Sequence, residues 1–278
     1  MNKTIGILTF EKYLGRKNLG SSKIRGQWLI NHWDEAEIFE QGKNYDVVIY
    51  QKAYFVDHAK IFKGIKILDI CDPDFLSWRY RTVEMIQEVD AITTSTEALA
   101  EAIRNFTDKP VLCVPDRIDL DTIEKTKYHK GEAKTVGWYG YSTGFEMLKP
   151  VLYFLKKLRL NLTVISDGGF SLPAGYESMQ LINLPHNWET VYDDLLDVDI
   201  IVNPQTKSGR YKYKSNNKTI LAWALGLPVA NDIDELKKFK SEEERRKEQI
   251  LRLKEVKEKW DIQLSVKEYK EFISSLQK

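Results

Sequence analysis

The sequence predicts an α/β protein of two doubly wound domains followed by a charged helical tail. Three observations lead there. Short β-branched apolar runs alternate with amphipathic stretches of helix length, the pattern of parallel strands covered on both faces. That pattern lapses over a polar stretch after Leu120 and then restarts. The length, 278 residues, is generous for one domain and comfortable for two of about 100–150 residues each.

The elements follow in order. Ile5–Phe10 reads as a buried strand and Ser22–Trp33 as a helix. Strands are expected at 46–50, 65–70, 91–94 and 111–114, with helices over Phe75–Val89 and Thr96–Phe106. Residues 1–125 are therefore read as the first domain and 126–134 as a linker, since the chain from Leu120 to Lys134 is polar and without period. The second domain, 135–233, restarts with a strand at 135–139 and a helix at Phe145–Leu158. Strands at 162–166 and 179–184, a helix at Trp188–Leu196 and a strand at 199–203 come next. A helix at Lys218–Leu225 and a short strand at 228–230 complete it. Residues 234–278 are read as C-terminal helices: a long, mostly solvated one over Lys237–Lys259 and a short one over 266–276.

Composition narrows the class. Lys+Arg is 42 and Asp+Glu 41, a formal charge of +1, so the surface as a whole is not built for nucleic acid. Cys71 and Cys113 sit inside apolar runs, which excludes a disulfide framework and points to a reducing, cytoplasmic setting. No apolar stretch reaches the roughly 18 residues of a membrane span.

Four stretches carry candidate chemistry. The first, Ser21-Ser22-Lys23-Ile24-Arg25, follows the first strand; its turn and helix start suit an anion, with Arg25 as a bidentate partner, or Ser22 is a plain cap. The second runs from Gly137 to Gly144, where three glycines at a strand end allow close backbone approach to a ligand; Gly140 and Tyr141 are its candidates. The third, Gly209–Ala230, is a basic aromatic loop leading into a helix whose first turn holds Asn217, Lys218 and Thr219. With Lys214 nearby, that helix start suits a diphosphate. The fourth is Asp69–Asp74 at a strand end, where Asp72 or Asp74 suits a general base for an acceptor hydroxyl; Asp72 is the candidate, with capping of the following helix the favoured role for Asp74.

The segment Lys214–Ala230, ending in Gly226-Leu-Pro-Val-Ala, resembles the donor-binding signature of GT-B glycosyltransferases of the family 4 (group 1) neighbourhood. Ser166-Asp167-Gly168 is similar to that family's strand-end Gly-Asp-Gly, and Asp197–Pro204 to its Ala-Asp-hydrophobic-Pro-Ser element. Thr94–Leu99 resembles the Ser-x-x-Leu element, and Ser21–Gly26 the first loop. The family's Glu-x7-Glu pair is replaced by lysines and asparagines, and Lys214 with Lys218 resembles the Lys-x-x-x-Lys variant of some relatives. His32 and His58 are the candidates by type for the family's N-terminal histidine.

The resemblance implies two Rossmann-like domains facing a cleft and transfer of a sugar from a nucleotide-diphosphate sugar to an acceptor hydroxyl. Asp72 and Lys218 are then the catalytic residues. Gly140, Tyr141, Asp167, Lys214, Asn217, Lys218 and Thr219 bind the donor, and Ser21, Ser22 and Arg25 form an acceptor or phosphate loop. No metal and no cofactor beyond the sugar donor are expected. The acceptor is open: glycan, small molecule, protein or modified nucleic acid. The alternative is a non-catalytic nucleotide- or nucleic-acid-binding module of the same fold, resting on the alternation of basic and aromatic residues over Lys207–Lys218.

Overall fold

The computed structural model describes residues 3–204 and 208–276. The chain divides into two compact units that do not follow the chain order: Met1–Asp119 with Lys207–Asn216 and Trp260–Lys278, and Leu120–Thr206 with Asn217–Lys259.

The first unit is built on a six-stranded, all-parallel sheet in the order β2-β1-β3-β4-β5-β6. Its strands are β1 (Ile5–Leu8), β2 (Ala36–Ile38), β3 (Val47–Gln51), β4 (Ile65–Ile70), β5 (Ala91–Thr94) and β6 (Val111–Cys113). β1 ends two residues short of the expected strand because Thr9 turns to cap α1 (Phe10–Leu14), its hydroxyl accepting from the Lys12 N–H. The expected helix at 22–33 starts as α2 (Gly20–Ser22), passes through a π-helical turn over Lys23–Gln27 and closes as α3 (Trp28–Asn31). Such a bulge re-aims side chains within a helix, and here it turns Arg25 inward. Two short elements, β2 and α4 (Val56–Ile61), escape the sequence pattern; at three and six residues neither spans a full amphipathic repeat. The stretch read as one helix over 75–89 is a 3-10 turn, Asp74–Leu76, followed by α5 (Arg79–Glu88). Thr96 caps α6 (Glu97–Arg104). Leu8, Val48, Tyr50, Leu68, Met85, Ile92 and Leu99 build this unit's core.

The second unit carries a five-stranded parallel sheet in the order β11-β10-β7-β8-β9. The strands are β7 (Thr135–Tyr139), β8 (Asn161–Ser166), β9 (Leu181–Pro185), β10 (Ile200–Val202) and β11 (Val229–Ala230). Around them lie α7 (Lys149–Leu158), α8 (Val191–Leu196) and α9 (Asn217–Ala224), then α10 (Ile233–Phe239) and α11 (Glu242–Lys259). The strand order reverses between β7 and β10, and in open α/β sheets ligands bind outside the strand carboxyl ends at such a point. Gly137 lies in β7 because a Cβ there would meet Val198 at 2.8 Å.

Residues 126–134, expected as a linker, pack into this unit. His129 is buried with Nε2 3.0 Å from the Gly226 carbonyl, and Ala133 joins the core. The long, mostly solvated helix expected over 237–259 is two helices broken at Lys240–Ser241. Arg245 is fully buried and donates to the carbonyls of Phe239, Lys240 and Gly131. The last helix, α12 (Ile262–Ser275), belongs to the first unit. Among the described residues no helix is long and apolar enough to cross a membrane.

Candidate functional site

In the second unit, β7, β8 and α9 place their carboxyl ends and amino terminus in one neighbourhood. Gly140 follows β7 with φ +147°, a conformation that side-chain-bearing residues rarely adopt. Lys218, in the first turn of α9, lies directly over it: a Cβ on Gly140 would fall 2.1 Å from Lys218 Nζ. The ammonium also sits 4.8 Å from the Trp138 ring centre, a cation–π contact. Tyr139 Oη donates to the Lys218 carbonyl at 2.5 Å, tying the strand end to the helix start. Thr219 accepts from Asn203 Nδ2 at 3.0 Å, which fixes the same helix to the end of β10. The first-turn N–H groups of an α-helix have no carbonyl partner within the helix, so the start of α9 adds partial positive charge to that of Lys218. Asn217 opens the helix, half-buried.

Asp167 follows β8 and accepts from the Ser142 N–H at 2.6 Å and the Ser166 hydroxyl at 3.1 Å. The Ser142 N–H holds its carboxylate below the usual range. Asp167 thus shapes the turn that follows Gly140. Tyr141, in that turn, is exposed. Of the three glycines in the loop, Gly140 alone has positive φ; Gly144 packs near Trp138.

The first unit gathers a second cluster at the carboxyl ends of β3 and β4. Lys52 follows β3 in a left-handed conformation, φ +50°, and is buried. Its ammonium lies 2.6 Å from Asp72 Oδ2 and 3.8 Å from Asp74 Oδ1. Lys214 pairs with the other oxygen of Asp72. Burial pushes Asp72 up, but Lys52 and Lys214 outweigh it and the carboxyl ends below its ordinary value. Burial also pushes Asp74 up, and here Lys52 and the Tyr54 hydroxyl offset it only in part, so Asp74 stays raised. Asp74 caps no helix through its side chain; its Oδ2 accepts from Tyr54 Oη at 2.8 Å. Lys52 and Tyr54 were missed in the sequence because their partners lie about 20 residues on, across a strand pair that only the register β3–β4 brings together.

Other sequence candidates fall elsewhere. Arg25 is 3% exposed and is spent inside the unit: Nε and Nη2 donate to Asp69 at 2.8 and 2.6 Å, and Nη1 donates to Asp116 and the Val114 carbonyl, both at 2.8 Å. It is a structural cation, not an open phosphate ligand. Ser22 is buried, accepting from the Glu11 N–H and donating to Gln51, while Ser21 is half-buried beside it. Lys214 belongs to the first unit and pairs with Asp72, while Lys218 belongs to the second. His32 hydrogen bonds to Asp119 at 2.8 Å. His58 meets Tyr50 Oη at 2.8 Å between Phe55 and Phe62, and burial lowers its pKa. Neither is an ordinary surface histidine. In the basic aromatic run, Lys207 lies outside the described residues, Tyr213 is buried against Phe75, and Tyr211 and Arg210 are exposed.

No family model matches this sequence, and no curated protein matches it. Solved structures do resemble the chain. Anabaena Alr3699/HepE, crystallised in complex with UDP, shares 10% identity at a TM-score of 0.64, over 98% of this chain and 100% of that one. A DNA-modifying β-glucosyltransferase, solved in the presence and absence of uridine diphosphoglucose, shares 11% at 0.62, over 99% and 100%. The lipopolysaccharide outer core galactosyltransferase WaaB shares 10% at 0.60, over 98% and 99%. A glycosylation-associated complex from Streptococcus agalactiae gives 0.45, and this chain spans 52% of that one. The three likenesses at 0.60 and above show the fold: two parallel α/β units of the GT-B class.

Proposed function

We propose that the protein is a glycosyltransferase that moves a sugar from a nucleoside diphosphate sugar to an acceptor hydroxyl. The observation that carries this reading is Lys218 at the start of α9, laid over the bare backbone of Gly140. A diphosphate needs concentrated positive charge, and the Lys218 ammonium, seated where Gly140 has no side chain, supplies it beside the start of α9. Negative charge grows on the diphosphate as the glycosidic bond breaks. A fixed ammonium and helix N–H groups stabilise that charge most where it is greatest, in the transition state. Thr219, bonded to Asn203, holds the helix start that Asn217 opens, and Asp167 holds the turn carrying Gly140 and Tyr141. Three neighbours of the same fold are glycosyltransferases or bind UDP, which supports a uridine nucleotide as the first donor to try.

With Lys218 and the helix dipole meeting the leaving group, the reaction runs without a metal. The two free cysteines suit the reducing cytoplasm as its setting. The test is donor turnover across UDP-, GDP- and dTDP-sugars, with and without EDTA. One donor should be hydrolysed or transferred at a rate that EDTA leaves unchanged. Rescue of a chelated, inactive protein by manganese or magnesium would refute the metal-free mechanism, and tight nucleotide binding without turnover of any sugar would leave the binding-module alternative. That alternative is weakened by Tyr213, whose burial closes the row of aromatics a nucleic-acid strand would stack upon.

A further inference from the structure

Just beyond Asp74 the first unit exposes an unusual run: Leu76 through Arg81 is open to solvent at every position, Trp78 at 48% and Tyr80 at 79%. Runs of exposed apolar side chains mark binding surfaces more often than chance. This one is joined to the acid cluster through a single ring. Tyr54 meets Trp78 edge-on, centres 6.4 Å apart at 86°, while its hydroxyl donates to Asp74. The Trp78 N–H in turn donates to the Asp74 carbonyl at 2.6 Å, so indole and carboxylate are held by the same short turn.

The two aspartates there are not equivalent. Asp72 has an ammonium on each oxygen, Lys52 on one and Lys214 on the other. Asp74 has Tyr54 on Oδ2, and its nearest cation on Oδ1 is Lys52 at 3.8 Å, beyond hydrogen-bond reach. Among the described residues Oδ1 therefore keeps its capacity to accept. The left-handed backbone of Lys52 is a strain that a fold retains where a side chain must be aimed, and it aims this one between the two acids.

We propose that this cluster is the acceptor site for a saccharide, with Trp78 as the platform under the sugar ring and Asp74 Oδ1 as the base that takes the proton of its hydroxyl. The proposal rests on the glycosyl-transfer reading above. A pyranose presents a face of C–H groups that packs on an indole, while its rim of hydroxyls needs polar partners, and the pairing of Trp78 with Asp74 supplies both. In the reaction the acceptor O–H bond breaks and its proton passes to Asp74. The acceptor oxygen forms a bond to the anomeric carbon of the nucleotide sugar, and the bond from that carbon to the diphosphate oxygen breaks, its electron pair leaving with the nucleoside diphosphate. Tyr54 is a positioning residue, and Asp72 with Lys52 and Lys214 sets the field around the base.

The experiment uses the full chain and whichever of UDP-glucose, UDP-galactose and GDP-mannose it consumes. Three acceptor classes are offered: methyl glycosides and disaccharides, a phenolic aglycone, and single-stranded DNA carrying hydroxymethylcytosine. Transfer should go to a saccharide. Asp74→Asn should lower kcat about 100- to 1000-fold with the donor KM held, and Trp78→Ala should raise the saccharide KM about tenfold with a smaller change in kcat. Should Asp74→Asn fail to fold, Tyr54→Phe decides. The Tyr54 hydroxyl lowers the Asp74 pKa against the raising effect of burial and Asp72, with Lys52 and Lys214 also lowering it. Its loss should therefore carry the acidic limb of kcat/KM to higher pH. Wild-type kcat in Asp74→Asn, an unmoved limb in Tyr54→Phe, an unchanged acceptor KM in Trp78→Ala, or transfer confined to the phenol or the DNA would each overturn the proposal. So would donor hydrolysis with no transfer to any acceptor. All of these leave the glycosyltransferase reading standing; only the absence of any donor turnover by the wild type sinks that reading.

Discussion

Arg25 and Lys218 stand in similar sequence surroundings, each a cation just inside a helix that follows a polar turn, yet the fold uses them in opposite ways. Arg25 is turned inward by the π-helical bulge and serves Asp69, Asp116 and a carbonyl. Lys218 stays at its helix start over a glycine. Sequence cannot separate these cases, since the partners of Arg25 lie 44 to 244 residues away. Removing Arg25 strands two buried carboxylates, a change that costs on the order of 3–5 kcal/mol. Arg25→Ala should therefore lower the urea midpoint sharply and leave the donor KM of whatever folds unchanged. A stable Arg25→Ala protein with a raised donor KM would restore Arg25 to the ligand site.

At the scale of elements, the strands of four to six buried residues were legible because burial on both faces demands unbroken apolar runs, as in β3 and β8. The three-residue β2, at a sheet edge, offers no such run. α12 was legible as a helix but not in its place. Its inward face carries Ile262, Val266, Tyr269 and Ile273, all buried, and two of its polar groups reach into the same unit. Tyr269 Oη donates to Asp69 at 3.0 Å, and Glu268 takes both arms of Arg117 at 2.6 and 2.7 Å. Burying each such apolar side chain contributes about 1.5–3 kcal/mol before the entropy of ordering the helix is set against it. A chain ending at Lys259 should lose cooperative unfolding of the first unit, followed through tryptophan fluorescence. A truncated protein with the full-length denaturation profile would show that α12 is dispensable.

For the whole molecule, sequence pattern located two α/β units but not their composition. Periodicity is a local signal, whereas membership of a unit is set by contacts far along the chain. Residues 208–216 illustrate this: they lie between β10 and α9 of the second unit, yet Tyr213 packs on Phe75 and Ser215 donates to Asp116 at 2.5 Å. Lys214 and Lys218, expected to meet the diphosphate together, fall in different units, Lys214 with Met1–Asp119 and Lys218 with Leu120–Thr206. The proposed function rests on the helix start at Lys218. The most direct measurement of the central claim is therefore steady-state turnover of the matched donor by Lys218→Ala, beside Lys254→Ala on the exposed face of α11 as control. A charge-assisted contact to a diphosphate is worth about 2–4 kcal/mol in the transition state, or roughly 30- to 1000-fold in rate. Lys218→Ala should lose that much in kcat with a smaller change in donor affinity and an unchanged unfolding midpoint, while Lys254→Ala keeps wild-type turnover. A folded Lys218→Ala protein with near wild-type kcat would contradict the account, because the start of α9 would then not be where the diphosphate leaves.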